Sequence, residues 1–137
     1  MVLLELGSQN FYSEKHIKYL FYDIDDAYDT LEKGHLPVLV GGRAGYLLYE
    51  DEDGKKDIIV FKGGYIEYDG NTIKVALREL FDPKTLDLEK ISQEIENLNK
   101  KLSEIQDEKE QEKIKDDLLT AQKFYLAVAK AKTYFEK

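Results

Sequence analysis

Cysteine is absent from these 137 residues. That excludes disulfides, thiol nucleophiles and cysteine-held metals, and it suits a reducing compartment. Histidine is scarce. His16 and His35 fall in different elements, so a histidine metal site would need carboxylates to complete it, and both read as surface or turn residues. No apolar run approaches the roughly 20 residues of a membrane span. The N-terminus has no basic residue and carries Glu5 inside its apolar run, which is not a signal peptide. A glycine-rich phosphate loop is missing too, because Gly41-Gly42 leads into Arg43 rather than Lys-Ser/Thr. Ser8 and Ser13 have no nearby acid–base partners. The acidic turn Asp51-Glu52-Asp53-Gly54 lacks the twelve-residue spacing and terminal glutamate of a calcium loop. No catalytic residue, cofactor or metal is expected.

Positive charge is in deficit. Lys and Arg number 20 against 28 Asp and Glu, for a net charge of -8 and an isoelectric point near 4.8. The imbalance sits in the first part: residues 1–83 hold 9 bases and 16 acids, residues 84–137 hold 11 and 12. Such a chain does not suit nucleic acid, whose phosphates need clustered cations, nor does its first part suit an anionic membrane surface. With a mean hydropathy of -0.52, the chain reads as soluble and cytosolic, open to membership of a membrane-attached complex.

What is present divides in two. Residues 2–6, 17–22, 36–40, 45–50, 57–61, 65–68 and 71–76 read as short strands. Asp69-Gly70, and glycine in Asp51-Glu52-Asp53-Gly54, mark hairpins. The acidic stretch 23–29 reads as loop. Asp82-Pro83 then breaks the pattern, and the period changes. Leu88, Ile91, Ile95, Leu98, Leu102 and Ile105 recur every three or four residues among polar ones, a two-heptad seam on one helix face with Thr85 or Asp87 as cap. After a charged connector, 107–112, comes a second helix with Ile114, Leu118, Ala121, Tyr125, Val128 and Phe135 on one stripe. The expected class is α+β in two parts: an antiparallel β-sandwich or flattened barrel over 1–83, then an antiparallel helical hairpin over 84–137, with arms of about 30 Å. Between Leu118 and Phe135 the only charges are Lys123, Lys130 and Lys132. They form either a solvated face or a basic surface for an acidic partner.

Three stretches then carry a resemblance. Gly34-His35-Leu36-Pro37-Val38-Leu39 is close to a Gly-His-x-Pro-Leu-Leu pattern. Val60-Phe61-Lys62-Gly63-Gly64-Tyr65-Ile66-Glu67-Tyr68, followed by Asn71-Thr72-Ile73-Lys74-Val75, is similar to Ser-Gly-Gly-Phe-x-Glu-Val and Asn-x-Val-Thr-Val. Leu86-Asp87 opens the first helix. In order and spacing these resemble the epsilon subunit of F-type ATP synthases, called delta in mitochondria. Pro37 fixes φ as the chain leaves a loop. Gly63-Gly64 is expected to let the chain reverse or bulge between an inward Phe61 and an inward Tyr65.

The resemblance implies a non-catalytic rotor subunit of a proton- or sodium-translocating enzyme. Its sandwich would bind the gamma subunit and the c-ring, with Tyr28, Asp29, His35 and Pro37 as contact candidates. Its hairpin, with Lys123, Lys130 and Lys132, would fold on the sandwich or extend along gamma into the alpha/beta catalytic head and inhibit hydrolysis. It also implies a peripheral place on the cytoplasmic face of a bacterial inner membrane. Two departures stand out. Residues 23–33, where the family meets the c-ring, contain none of its glycines. The ATP-binding pattern Ile/Leu-Asp-x-x-Arg-Ala becomes Leu86-Asp87-Leu88-Glu89-Lys90-Ile91, with no arginine after Arg78, which argues against ATP sensing because lysine lacks arginine's phosphate-gripping fork. The seam alone suits nearly as well a free-standing scaffold that dimerises through a coiled coil; a nucleotide-binding regulator is a third and weaker alternative.

Overall fold

A computed structural model describes residues 1–135. Six strands come first: β1 (Val2–Ser8), β2 (Phe11–Ile24), β3 (Ala27–Glu32), β4 (Val38–Asp51), β5 (Lys56–Tyr68) and β6 (Thr72–Phe81). A single 3-10 turn, Pro83–Thr85, leads to α1 (Leu88–Glu104) and α2 (Glu108–Thr133). The sheet runs β1-β6-β5-β4-β2-β3 and closes because β1 also pairs with β2. One pairing departs from the antiparallel expectation: β1 lies parallel to β6. The two-part α+β architecture is as the patterning indicates.

The hairpin turns form where Asp and Gly sit together. Gly54 and Gly70 take φ of +83° and +101°, and the carboxylates of Asp51 and Asp69 accept main-chain N–H groups across their turns. The acidic stretch 23–29 is not a loop. Asp25 and Asp26 hold positive φ, 49° and 72°, and make a two-residue turn joining β2 to β3, a conformation Asp tolerates better than most residues. The expected strands 36–40 and 45–50 are one strand, β4, which runs through Gly41-Gly42.

A change of face crosses three neighbouring strands. In β4 the residues on the sandwich core are Val38 and Val40, then Leu47 and Tyr49. In β5 they are Ile59 and Phe61, then Ile66 and Tyr68; in β6, Ile73, Val75 and Leu77, then Leu80. The switch falls on the paired row Gly42, Gly64 and Leu77, without a slip in register. Gly63, at φ +68°, turns the main chain there. Tyr65 consequently points outward, 48% exposed, while Phe61 is buried. The expected inward Tyr65 is thus corrected, and the chain neither reverses nor bulges at Gly63-Gly64.

The switch creates a second core on the outer face. Ala44, Tyr46 and Val60 meet Ile91, Phe124, Val128 and Ala131 there. The α2 helix lies on β4 and β5, and α1 packs on α2. Asp87, not Thr85, caps α1 through the Glu89 N–H. The charged stretch 107–112 is not a connector: Asp107 caps α2, and a carboxylate at this position suits the positive end of the helix dipole. At 1.5 Å per residue the 17-residue α1 and 26-residue α2 span about 25 and 39 Å, so the arms are unequal.

Close backbone approach makes the fold sensitive at Gly45, where an added Cβ would run into the Asp23 carbonyl oxygen. We expect Gly45→Ala to lower unfolding free energy by about 3 kcal/mol or more. Gly7→Ala, whose Cβ would meet only ordinary contacts near 3.5 Å, should cost far less. Urea denaturation of both variants checks this.

Candidate functional site: a latched arm and an exposed rim

Two surfaces carry chemistry. The first is the seam between α2 and the sandwich. Lys130 Nζ donates to Asp23 Oδ2 at 3.0 Å and to Asp26 Oδ1 at 3.5 Å, and Lys123 Nζ to Asp26 Oδ2 at 3.2 Å. Arg43 on β4 donates through Nη1 to Asp116 and, at 3.3 Å, to Thr120 Oγ1. Asp25 turns its carboxylate to the N–H groups of Arg43 and Ala44. The acidic stretch therefore fastens the β2–β3 turn to β4 and to the arm. Asp23 is the one buried charged residue among those described, 8% exposed. Its bond is the leading reason the Lys130 ammonium is held above its ordinary range. The Lys123 bond, followed by the two lysine charges, pulls Asp26 below the carboxylate range.

Beside these pairs, Tyr46 is buried against Tyr134, ring centroids 6.1 Å apart. Burial first, then a hydrogen bond with Tyr134, pushes the Tyr46 hydroxyl well up. Phe81 meets Phe124 at 5.3 Å. Sequence spacing places Tyr125 on the buried stripe of α2, whereas the fully covered ring is Phe124. Lys123 and Lys130 of the three arm lysines join the latch; Lys132 lies outside it. The α1 seam faces α2, and Leu88, Ile91 and Ile95 join the outer core.

A cleft of about 240 Å³ opens between the arm and β5–β6, lined by Lys62, Arg78, Glu79, Glu94, Asp116 and Asp117 among others. Four carboxylates against two cations repel a triphosphate, in keeping with the missing arginine pattern.

The second surface is the rim at the end of β3. His35 Nδ1 donates to the Leu36 carbonyl at 2.6 Å, and Nε2 lies 2.9 Å from Asp29 Oδ2. Both partners are acceptors, so the pair of contacts favours the imidazolium, in which both ring nitrogens donate. The Leu36 carbonyl, then Asp29, raises the pKa of His35 above 6.5, and His35, then the Thr30 N–H, lowers that of Asp29. His35 also lies 6.2 Å from the Tyr68 ring, whose single O–H lies 3.0 Å from, and is shared between, the carbonyls of Glu32 and Gly70. His35 is thus tied into the rim rather than a bare surface residue. His16 fits the surface reading, exposed and 3.9 Å from Glu52.

Of the four contact candidates, the fold joins Asp29 and His35 and keeps Pro37 close in the same connection. Tyr28 is set apart: it pairs across the ladder with Asp23, so it stands on the arm side of β3, 71% exposed. Leu36 and Leu39, 78% and 72% exposed, were not singled out by the patterning, since a short apolar run reads as core. Leu39 is diagonal to Tyr65 across the β4–β5 ladder, so the two apolar side chains share an outward face.

Two outcomes follow. Because the folded His35 has a raised pKa, its contribution to stability is complete below pH 6.5 and lost as pH rises through its folded value. Asp29 contributes above its ordinary 3.8 and loses that contribution as pH falls through its lowered value. In NMR titrations His35 should therefore titrate above 6.5, and Asp29→Asn should bring it back down. Lys130→Ala, which strands the buried Asp23, should cost about 1–2 kcal/mol at low salt and less at high salt, the lysine being part-exposed. Thermal unfolding at two ionic strengths checks it.

Comparison with known proteins fits the motif resemblance. The fold is similar to that of a chain in the cryo-EM structure of the Euglena gracilis mitochondrial ATP synthase (OSCP/F1/c-ring, rotational state 1). The TM-score is 0.75 and the identity 20%, covering 95% of this chain and 80% of that one. It is also similar to a chain in the cryo-EM structure of the Tetrahymena thermophila mitochondrial ATP synthase central stalk and c-ring. There the TM-score is 0.52 and the identity 14%, over 61% of this chain and 67% of the other. No family model and no curated protein matches the chain. At these identities the likeness establishes the fold.

Proposed function

We propose that this chain is a non-catalytic central-stalk subunit of an F-type ATP synthase, of the epsilon kind. The observation that most supports the reading is the two-part architecture, shared over 95% of the chain with a chain from an ATP synthase assembly. The three motif stretches, in register along the same architecture, support it independently. In this reading residues 1–83 form the coupling unit between gamma and the c-ring. The rim of Leu36, Pro37, Leu39 and Tyr65, backed by Asp29 and His35, offers apolar area with few charges of its own, the kind of surface that anchors protein contacts. Tyr28 offers a second contact on the arm side.

Residues 84–137 form the moving unit. The hairpin is docked, with its stripe on the outer core and Lys123 and Lys130 on the sandwich's acids. Regulation is then a population shift toward an arm extended along gamma to the alpha/beta head, where it slows hydrolysis. Lys132, outside the latch, is available to an acidic surface in either state. ATP has no part in the shift. The subunit sits peripherally on an energy-transducing membrane, and none of its described helices is long and apolar enough to cross one.

Co-expression with a tagged gamma homologue from the same source should recover this chain, and Leu39→Asp with Tyr65→Asp should weaken its coupling to the c-ring. In a reconstituted complex, removing residues 84–137 should raise ATP hydrolysis several-fold. An unchanged rate would show that the arm is no brake, and failure to recover the chain with gamma would sink the stalk reading itself.

A further inference from the structure

The sheet ends at β3, which among the described residues pairs with β2 alone. The Asp25 N–H bonds to the Ala44 carbonyl on β4. Alternation along β2 then turns the main-chain groups of Ile24, Tyr22 and Leu20 toward β3, where Ala27, Asp29 and Leu31 face them. The main chain of Tyr28, Thr30 and Glu32 therefore points away from the sheet, a row of groups set to pair with another strand. The protein covers part of that row itself. The Thr30 N–H donates to Asp29 Oδ1 at 2.7 Å. The Glu32 carbonyl accepts from the His35 N–H and from the Tyr68 hydroxyl, each at 3.0 Å. No partner on the protein covers the Tyr28 N–H and carbonyl or the Thr30 carbonyl among the described residues. Along the same edge the side chains of Ala27, Tyr28, Asp29 and Thr30 are all exposed.

Strand β3 and the β2 residues paired with it are acid-rich, with Lys18 and Lys33 just beyond their ends. Residues 19–32 hold Asp23, Asp25, Asp26, Asp29 and Glu32 and no base. Lys130, Lys123 and His35 answer Asp23, Asp26 and Asp29, which leaves Glu32 and part of the field of the rest uncompensated. We propose that the outer edge of β3 is a docking site for an extended, lysine- or arginine-bearing segment of a partner polypeptide, which adds to the sheet as a further strand. The incoming chain exchanges both main-chain bonds with Tyr28, and its cations lie beside Asp29 and Glu32. A second copy of this chain fits poorly, because it would set its own Asp29 and Glu32 against these. Asp29 is the gate. It must leave the Thr30 N–H before the strand can pair along its full length, and His35 holds it in place, so weak or uncharged segments do not open the edge. The inference stands apart from the stalk reading, since it uses only the isolated chain.

The test is an NMR titration of the full chain, isotope-labelled and at low ionic strength, with the capped hexapeptide Lys-Thr-Lys-Val-Lys-Thr. The same peptide methylated at every backbone amide serves as control. The plain peptide should shift the amides of Tyr28, Thr30 and Glu32 and slow hydrogen exchange of the Tyr28 amide by ~10-fold or more; the methylated peptide should do neither. Tyr28→Pro removes only an outward N–H, which an edge strand tolerates, and should abolish binding with the rest of the spectrum retained. Equal binding by the methylated peptide, shifts scattered over the acidic surface, or no shift at millimolar peptide would each overturn the proposal.

Discussion

The structure depends on backbones that touch. At Gly42, Gly45 and Gly64 the strands approach so closely that a Cβ would meet a neighbour's main chain or side chain within about 3 Å or less. Along this line β4, β5 and β6 exchange their inner and outer faces together. Below it the strands feed only the sandwich core; above it they also present Ala44, Tyr46, Ile58 and Val60 to the helices. One sheet thereby serves two cores. A Cβ at Gly42, Gly45 or Gly64 would push the strands apart, and the helices would lose their seat along with the sandwich its closure.

The arm is held by two kinds of force of different reach. Apolar burial of Phe124, Val128 and Ala131 supplies the non-directional part, proportional to area. The pairs from Asp23, Asp26 and Asp116 to Lys130, Lys123 and Arg43 supply direction: they fix where along the sheet the helix lies, because a slide of one turn, about 5.4 Å, would break all of them. Most are part-exposed, so each adds little on its own. Asp23 differs, since burial leaves it only one escape from an unpaired charge. The acid-rich composition of the first part of the chain is thus partly spent inside the molecule.

How much of this could be read from sequence depends on how local each signal is. Asp69-Gly70 and the Asp51 turn were legible because a hairpin turn is decided by two to four adjacent residues. The α1 seam was legible because period and cap lie within one helix. Asp25-Asp26 was missed because two aspartates in left-handed conformations lack the glycine that usually announces such a turn. Asp107 was missed because a cap buried in a charged run resembles a connector. The outward Tyr65 was invisible, since alternation along β5 alone places it inside; only the pairing of three strands shows that the alternation breaks. The rim was half legible: His35 and Pro37 stood out in the Gly34–Leu39 motif and Asp29 as a candidate in the acidic stretch, whereas Leu36 and Leu39, in the same motif, were hidden by being apolar.

The seat beneath the arm has a consequence for the economy of motion. When the helices leave, the aromatic and aliphatic face of β4 and β5 meets water all at once, and so does the stripe of α1 and α2 that covered it. Titrating or screening the lysines leaves that apolar exposure uncompensated. Opening becomes favourable only beside another surface that replaces what is lost. In the proposed reading the seat would therefore serve as a proximity detector, reporting whether the chain is installed in something larger.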